Sequence, residues 1–352
     1  MTIPKLSICI ATYNRGIFIG ETLDSILTQI DFGVELVIVD GASPDNTLAV
    51  MSNYLEQFPD IRYYRETINS GVDADYDKAV GYAKGQYCWL MTDDDLLIPG
   101  AVERVLQSIA DLPDLIIVNS EVKNIDFSKT YVERSLDFLT DKEYSAKDGE
   151  KFFSEVASYI SFIGGVVIKR KSWLERNRVD YYGSLFIHVG VIFQHPPINI
   201  IKIIAEPLIT IRYGNSMWSP RSFEIWTFKW PKLIWSFADF SEQAKLQVTA
   251  QEPRKSVSRL LRNRALGAFS EAEIKKFWPA NIDNRERFIA TLLSKLPGSF
   301  ANLISVVYLS LCAKPNHMAL HDLLHSKYAG FPSKIFAWVL NIESRNTKSK
   351  PL

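Results

Sequence analysis

The sequence predicts an α/β protein: an open, doubly wound mixed sheet over residues 1–215, followed by a helical, aromatic-rich region over residues 216–345. Three observations carry that prediction. Short apolar runs rich in Val and Ile alternate with segments of helical period. The links between them are brief and made of Gly, Pro, Asn, Asp and Ser. Several apolar runs also end abruptly in carboxylates, as strands do when a sheet edge is used for binding.

In order, Leu6–Thr12 reads as a buried parallel strand, and Tyr13–Gly16 as the turn after it. A helix follows with Ile19, Leu23, Ile26, Leu27 and Ile30 on one face. Glu35–Asp40 is a second strand with a carboxylate tip, and Gly41–Thr47 leads into a helix expected to face Leu48, Met51 and Leu55 inward. Ile61–Arg65 is a short strand, and Val72–Lys84 a helix that Gly85 is expected to close. Tyr87–Met91 is an apolar strand running into Asp93, Asp94 and Asp95. A helix over Pro99–Leu112 and a strand over Leu115–Asn119 complete this half. Residues 121–161 turn polar, as a long excursion or lid would. Strands are expected again at Ile163–Lys169, Ile198–Ala205 and Leu208–Arg212, with helices at Ser172–Arg176 and Tyr182–Phe193. The domain boundary falls near Asn215, and the Lys-rich stretch 346–352 reads as a disordered tail.

Composition narrows the class. The 352 residues suffice for one large domain and a smaller one. Formal net charge is zero, which gives no global attraction to nucleic acid. Cys9, Cys88 and Cys312 make no even framework and suggest reduced core thiols in a cytoplasmic protein. The N-terminus shows no basic-then-apolar signal region, and no apolar run reaches the ~20 residues that cross a bilayer.

The acids carry the chemistry. Three carboxylates ending a buried strand are costly unless a cation neutralises them, so Asp93–Asp95 suggest a divalent metal held with a phosphate-bearing substrate. Strand alternation would turn Asp94 away from Asp93 and Asp95. Asp40 and the group Asp73, Asp75 and Asp77 belong to the same edge; period-two spacing spreads that group around a helix, which leaves Asp73, nearest the turn, as the ligand candidate. No Gly-x-Gly-x-x-Gly follows the first strand and no phosphate-binding P-loop occurs, which argues against dehydrogenases and P-loop ATPases.

Thr12-Tyr13-Asn14-Arg15, the run Val39–Thr47 and the Asp-x-Asp at 93–95 together resemble family-2 glycosyltransferases of the GT-A fold. Gly71–Val80, Ala83–Leu90, Phe186–Val189 and Arg212–Ser216 with Trp218 are similar to bacterial abequosyltransferase-like enzymes. The resemblance implies transfer of a 3,6-dideoxyhexose from a CDP-sugar to a lipid-linked O-antigen oligosaccharide, with Mg²⁺ or Mn²⁺ as cofactor. It puts Thr12, Tyr13, Asn14 and Arg15 beside the nucleotide, Asp40 on base or ribose, and Asp73 on the nucleotide-sugar side. Asp93 falls on ribose or sugar and metal, and Asp95 on the metal at the catalytic centre. Inverting relatives carry an acid at the start of the helix after the acceptor loop; here His188 is the titratable group in that run, with Asp180 as fallback. The competing readings are the same fold with a UDP-, GDP- or dTDP-sugar, and a non-catalytic sugar- or membrane-binding module.

Two further clusters carry weaker signals. His317, His321 and His325 share one helix stripe, read as polar rather than metal-binding. Trp226, Trp230 and Trp235 with Lys229 and Lys232 are candidates for stacking on sugars. The basic segment Arg254–Arg264 and the apolar helices after it suit peripheral contact with an inner membrane, or packing on the catalytic domain or a second subunit in a homo-oligomer.

Overall fold

The structure, a computed structural model, describes residues 3–31, 33–215, 221–279, 282–311 and 317–339. Trp218, Cys312 and the 346–352 tail lie outside the described residues. The chain divides into two compact units, residues 1–215 with 233–249, and residues 216–232 with 250–352.

The first unit holds one ten-stranded mixed sheet. Its strands are β1 (Leu6–Thr12), β2 (Val34–Asp40), β3 (Arg62–Arg65), β4 (Tyr87–Met91), β5 (Leu96–Leu97), β6 (Leu115–Asn124), β7 (Thr130–Val132), β8 (Lys142–Ser145), β9 (Val166–Lys169) and β10 (Ile200–Tyr213). The order is β3-β2-β1-β4-β9-β6-β10-β5, with β7 on β6 and β8 on β10. Helices α1 (Ile19–Leu27), α2 (Thr47–Gln57), α3 (Val72–Tyr82), α4 (Ala101–Ile109), α5 (Gly149–Ile160), α6 (Arg170–Glu175) and α7 (Ile187–Phe193) cover it. The central strands are buried on both faces, so β1 and β4 read as continuous apolar runs. On one face Ile8, Ile10, Leu36, Ile38, Trp89 and Met91 meet Ile19, Leu23 and Ile26 of α1 and Val102 and Val105 of α4.

Several expectations need correction. The polar excursion is folded: β6 turns back as a hairpin with β7, β8 pairs with β10, and α5 buries Phe152, Phe153, Val156, Ala157 and Ile160. Those positions hold helical spacing, but the polar residues around β7 and β8 mask it. Strand β9 lies antiparallel between β4 and β6. The two strands expected near its end are one strand, β10, whose register against β6 shifts on both sides of Pro207. Residues 182–186 are not helical, because Gly183 and Leu185 take positive φ of 79° and 73°. Leu48 is exposed, whereas Met51 is buried as expected and Thr47 is buried with it.

Gly85 has a different task from the expected helix stop. Helix α3 is over by Ala83, and the Gly85 N–H donates to Ser7 Oγ at 2.8 Å. A Cβ there would lie 2.4 Å from that oxygen and 2.8 Å from the Ser7 nitrogen, so only glycine lets the chain enter β4 this close to β1.

Residues 233–249 supply aromatics to the first unit's core, where Phe240 stacks on Phe153 at 4.0 Å and Phe237 packs on Phe153 and Phe193. They contain the end of α9 (Trp230–Ser236) and α10 (Glu242–Val248); a short helix α8 (Ser222–Glu224) precedes α9.

The second unit is a helical bundle: α11 (Val257–Leu266), α12 (Glu271–Phe277), α13 (Asn284–Lys295), α14 (Gly298–Leu311), α15 (His317–His325) and α16 (Phe331–Val339). Asn302, fully buried, donates to Leu323 O at 2.8 Å and accepts from Ser333 Oγ at 2.7 Å, pinning α14, α15 and α16 together. The basic α11 is bundle interior as much as surface: Leu260 and Ala265 are buried, and Arg264 donates to Leu296 O at 2.7 Å. His321 and His325 stack at 4.0 Å on α15.

The Gly85→Ala substitution is expected to cost about 1–3 kcal/mol through overpacking against the Ser7 backbone. Gly81→Ala, inside α3 where a Cβ meets nothing within 4 Å, is expected to be neutral or mildly stabilising. Urea unfolding of the two variants checks the difference.

Candidate functional site

The C-terminal tips of β1, β2 and β4 converge through their loops. After β1, the Asn14 N–H donates to Ser43 Oγ at 2.9 Å, the Arg15 N–H to Thr47 Oγ1 at 3.2 Å and the Gly16 N–H to Asp45 Oδ2 at 2.9 Å. The loop after β1 is thereby sewn to the loop after β2. Both loops contain a non-glycine residue at positive φ, Asn14 at 58° and Ala42 at 64°. Each costs on the order of 1–3 kcal/mol and persists only where the surroundings compel it.

Asp40, fully buried, anchors the second loop from within. Its Oδ1 accepts from the Ser43 N–H at 2.8 Å, its Oδ2 accepts from the Tyr63 hydroxyl at 2.6 Å, and Arg65 Nε lies 3.6 Å away. Burial, with the Asp40 hydrogen bond next in weight, pushes the Tyr63 hydroxyl's pKa well up, so it stays a donor.

The chain bends at Asp93 and Asp94 instead of continuing extended, so strand alternation does not sort the acids. Arg15 faces two of them, with Nε 3.5 Å from Asp93 Oδ1 and Nη2 3.1 Å from Asp94 Oδ2. Asn215 Nδ2 donates to the same Asp94 oxygen at 2.8 Å. Asp95 is turned elsewhere: its Oδ1 accepts from the Arg212 N–H at 2.8 Å and its Oδ2 from the Thr92 hydroxyl at 2.5 Å. The Arg212 side chain donates to Asp94 O, Ile125 O and Glu21 Oε2, and its guanidinium sits over the rings of Phe18 and Phe127.

Burial raises the pKa of all three acids, with Asp94 adding repulsion at its neighbours; Asp93 is pushed up to about 7. Burial is the larger cause, and the nearby Arg15 guanidinium, which pulls the other way, does not cancel it. Asp93 and Asp94 already turn oxygens toward one cationic group, and that donor set fits a hard divalent cation. Asp95, with both oxygens engaged, fits less well. Among the described residues, no three His, Cys, Asp or Glu side chains converge as a complete metal cage.

The acids of α3 are tied to the fold. Asp73 accepts from the Leu185 and Ile187 N–H groups at 2.8 and 3.0 Å, where α7 begins. Asp75 accepts from Ser70, and its carboxylate is what a Cβ on Gly41 would strike at 2.6 Å. Asp77 accepts from Trp173 Nε1 and the Tyr182 hydroxyl. His188 is buried, with Nε2 2.7 Å from Ile160 O, and burial lowers its pKa to about 4. Asp180 is exposed and accepts from Asn177. Of the expected stacking tryptophans, Trp230 is buried and Trp235 donates to Thr249 O at 3.2 Å; Trp226 is exposed.

The structure brings Arg15, Asp93 and Asp94 together with the Thr12 hydroxyl near Asp93, sets Asp40 beneath the adjoining loop, and adds members that sequence reasoning missed. Tyr63 and Arg65 belong to β3, whose sequence signals a strand and no site residue. Arg212 was noted only as part of a resemblance, and nothing local signals that it reaches Glu21, 191 positions away.

Residues 7–167 match the family described as Glycosyl transferase family 2. The chain is 28% identical to the abequosyltransferase of Salmonella typhimurium over 230 residues, 60% of this chain and 67% of that one. It is 25% identical over 220 residues to the Campylobacter jejuni GalNAc(5)-diNAcBac-PP-undecaprenol beta-1,3-glucosyltransferase, covering 59% of this chain and 68% of the other. Among solved structures, S. aureus TarS 1-349 in complex with UDP superposes with a TM-score of 0.52 at 16% identity, over 96% of this chain and 88% of that one. The likeness extends the GT-A fold to this chain.

A raised carboxyl pKa has a signed consequence. The folded state holds the Asp93 proton more tightly than the unfolded state, so stability falls as pH rises from about 4 to about 7. In chelator-treated buffer, Asp93→Asn is therefore expected to raise Tm at pH 8, with a gap that narrows toward pH 5. A pH-independent difference in melting scans would remove Asp93 as the source.

Proposed function

We propose, for a chain whose residues 7–167 form a Glycosyl transferase family 2 domain, transfer of a hexose from a nucleotide diphosphate sugar to a sugar hydroxyl of a lipid-linked O-antigen oligosaccharide. The donor of this reading is a CDP-linked 3,6-dideoxyhexose such as CDP-abequose. The carrying observation is the pair Asp93 and Asp94 turned on Arg15 at the tip of β4, beside the loop after β1. An anionic diphosphate and its cation need that mixture of charges. The choice of sugar is supported by the similarity to an abequosyltransferase, and the lipid-linked acceptor by a relative whose name specifies an undecaprenol-diphosphate substrate.

In this reading Thr12, Tyr13, Asn14 and Arg15 line the nucleotide, and Asp40 sets the second loop for base or ribose. Arg15 trades its carboxylate partners for phosphate oxygens, the exchange its planar guanidinium suits. Mg²⁺ or Mn²⁺ would be held by Asp93 with Asp94, and Asp95 would keep the acid turn in register through Arg212 and Thr92. When bound, the cation offsets charge developing on the departing diphosphate. Asp73 acts through the 185–187 backbone, setting the start of α7 on the sugar side. His188 serves as base only after leaving Ile160 O, so His188→Ala separates base from packing: a base loses transfer while nucleotide binding persists. The reaction takes place at the cytoplasmic face of an inner membrane, where the acceptor lipid resides.

Thermal-shift measurements with CDP, UDP, GDP and dTDP, each with and without Mn²⁺, check the donor. CDP with Mn²⁺ is expected to raise Tm, and Asp93→Asn to abolish the metal-dependent part. Equal shifts with all four nucleotides would discard the CDP assignment; no shift with any would discard the transferase reading for a non-catalytic module.

A further inference from the structure

The second unit presents large apolar side chains to solvent in ordered stripes. On α14, Phe300, Ile304 and Leu311 recur at i, i+4 and i+11, while Ala301, Asn302, Ser305 and Val306 fill the opposite, buried face. On α16, Phe331, Ile335 and Trp338 recur at i, i+4 and i+7, with Phe331 and Trp338 77% and 79% exposed, and Ala337 turned into the bundle. Phe288 and Leu292 make a two-residue stripe on α13. Scattered exposed hydrophobes are ordinary, but stripes repeated on three helices of one bundle are not.

Charge says what covers them. Residues 216–232 and 250–352 contain 19 Lys and Arg against 8 Asp and Glu, a formal net charge of +11. The rest of the chain has 21 against 32, a net −11. The zero net charge of the whole is thus the sum of two opposed units. A second copy of the bundle would bring +11 against +11, which opposes self-association through these faces. An anionic bilayer offers both an apolar layer and the opposite charge.

The helices are too short to cross. At about 1.5 Å per residue, the 14 residues of α14 extend about 21 Å, against the ~30 Å of a hydrocarbon core. Helices α13 and α14 meet at a 98° bend, and among the described residues no single helix is long and apolar enough to span.

We infer that the exposed stripes of α13, α14 and α16 are a membrane-docking surface that lies in the interface of an anionic bilayer, with the unit's basic side chains on the headgroups. This rests on the proposed lipid-linked acceptor and deepens it, since it names the surface through which the enzyme meets that lipid's membrane.

Vesicle sedimentation of the full chain tests the inference. It uses vesicles of phosphatidylcholine alone and of phosphatidylcholine with about one third phosphatidylglycerol. Wild type is expected to bind the anionic vesicles about tenfold better, and high salt to weaken that binding. The double variant Phe331→Glu with Trp338→Glu, both positions exposed, is expected to lose binding about tenfold. Its nucleotide-dependent thermal shift should be unchanged, which also shows that it folds. Equal binding to both vesicles, no binding, or undiminished binding by the variant overturns the inference. So does a dimer in analytical ultracentrifugation that the variant abolishes, which would assign the stripes to a second copy. Vesicle binding without any nucleotide shift would fell the transferase reading and leave the docking surface standing.

Discussion

The first unit depends on the neutralisation of three carboxylates at the end of β4, Asp95 buried and Asp93 and Asp94 largely so. Taking a carboxylate out of water costs several kcal/mol even after relaxation, and Asp93–Asp95 place three in succession. Two arginines, one amide and the Thr92 hydroxyl hold that turn. Arg15 comes from the loop after β1, and Arg212 and Asn215 come from the end of β10 and just beyond it. The acid turn therefore ties together parts of the chain almost 200 residues apart. Burial first, and repulsion from Asp94 second, raise the Asp93 pKa, so further positive charge beside this turn would be stabilising.

The loops around that turn are held by hydrogen bonds rather than by apolar packing. Ser43, Asp45 and Thr47 accept from three successive backbone N–H groups after β1, while Asp40 fixes their own loop from below. Positive φ at Asn14 and Ala42 fits this arrangement: a strained backbone persists only where its neighbours over-determine it. Such strain gathers where a surface must be ready before its ligand arrives.

The apolar periodicity made the central strands and most of the helices around them legible, because burial on both faces writes itself into consecutive residues. The strand order across β9, β6 and β10 was not, since antiparallel insertion leaves no local mark. The candidate site was legible as residue types and positions, yet not as partnerships. Strand alternation misassigned Asp94 because the chain bends before the rule applies. For Asp73 a carboxylate near a turn is ambiguous, and only tertiary structure puts the Leu185 and Ile187 amides against it. Arg212 is the clearest limit, because its partners Glu21, Asp94 and Ile125 come from three distant segments.

Whole-chain charge conceals the division of the molecule for a related reason. A net charge of zero describes neither unit, because an acidic unit and a basic one cancel only in the sum. Screening confines electrostatic influence to about 8–10 Å at physiological salt, so a surface responds to the charges near it and not to the whole-chain total. Charge counted over a folded unit is therefore the physical quantity, and that count can be made only once the chain's contacts show that residues 233–249 belong with the first 215.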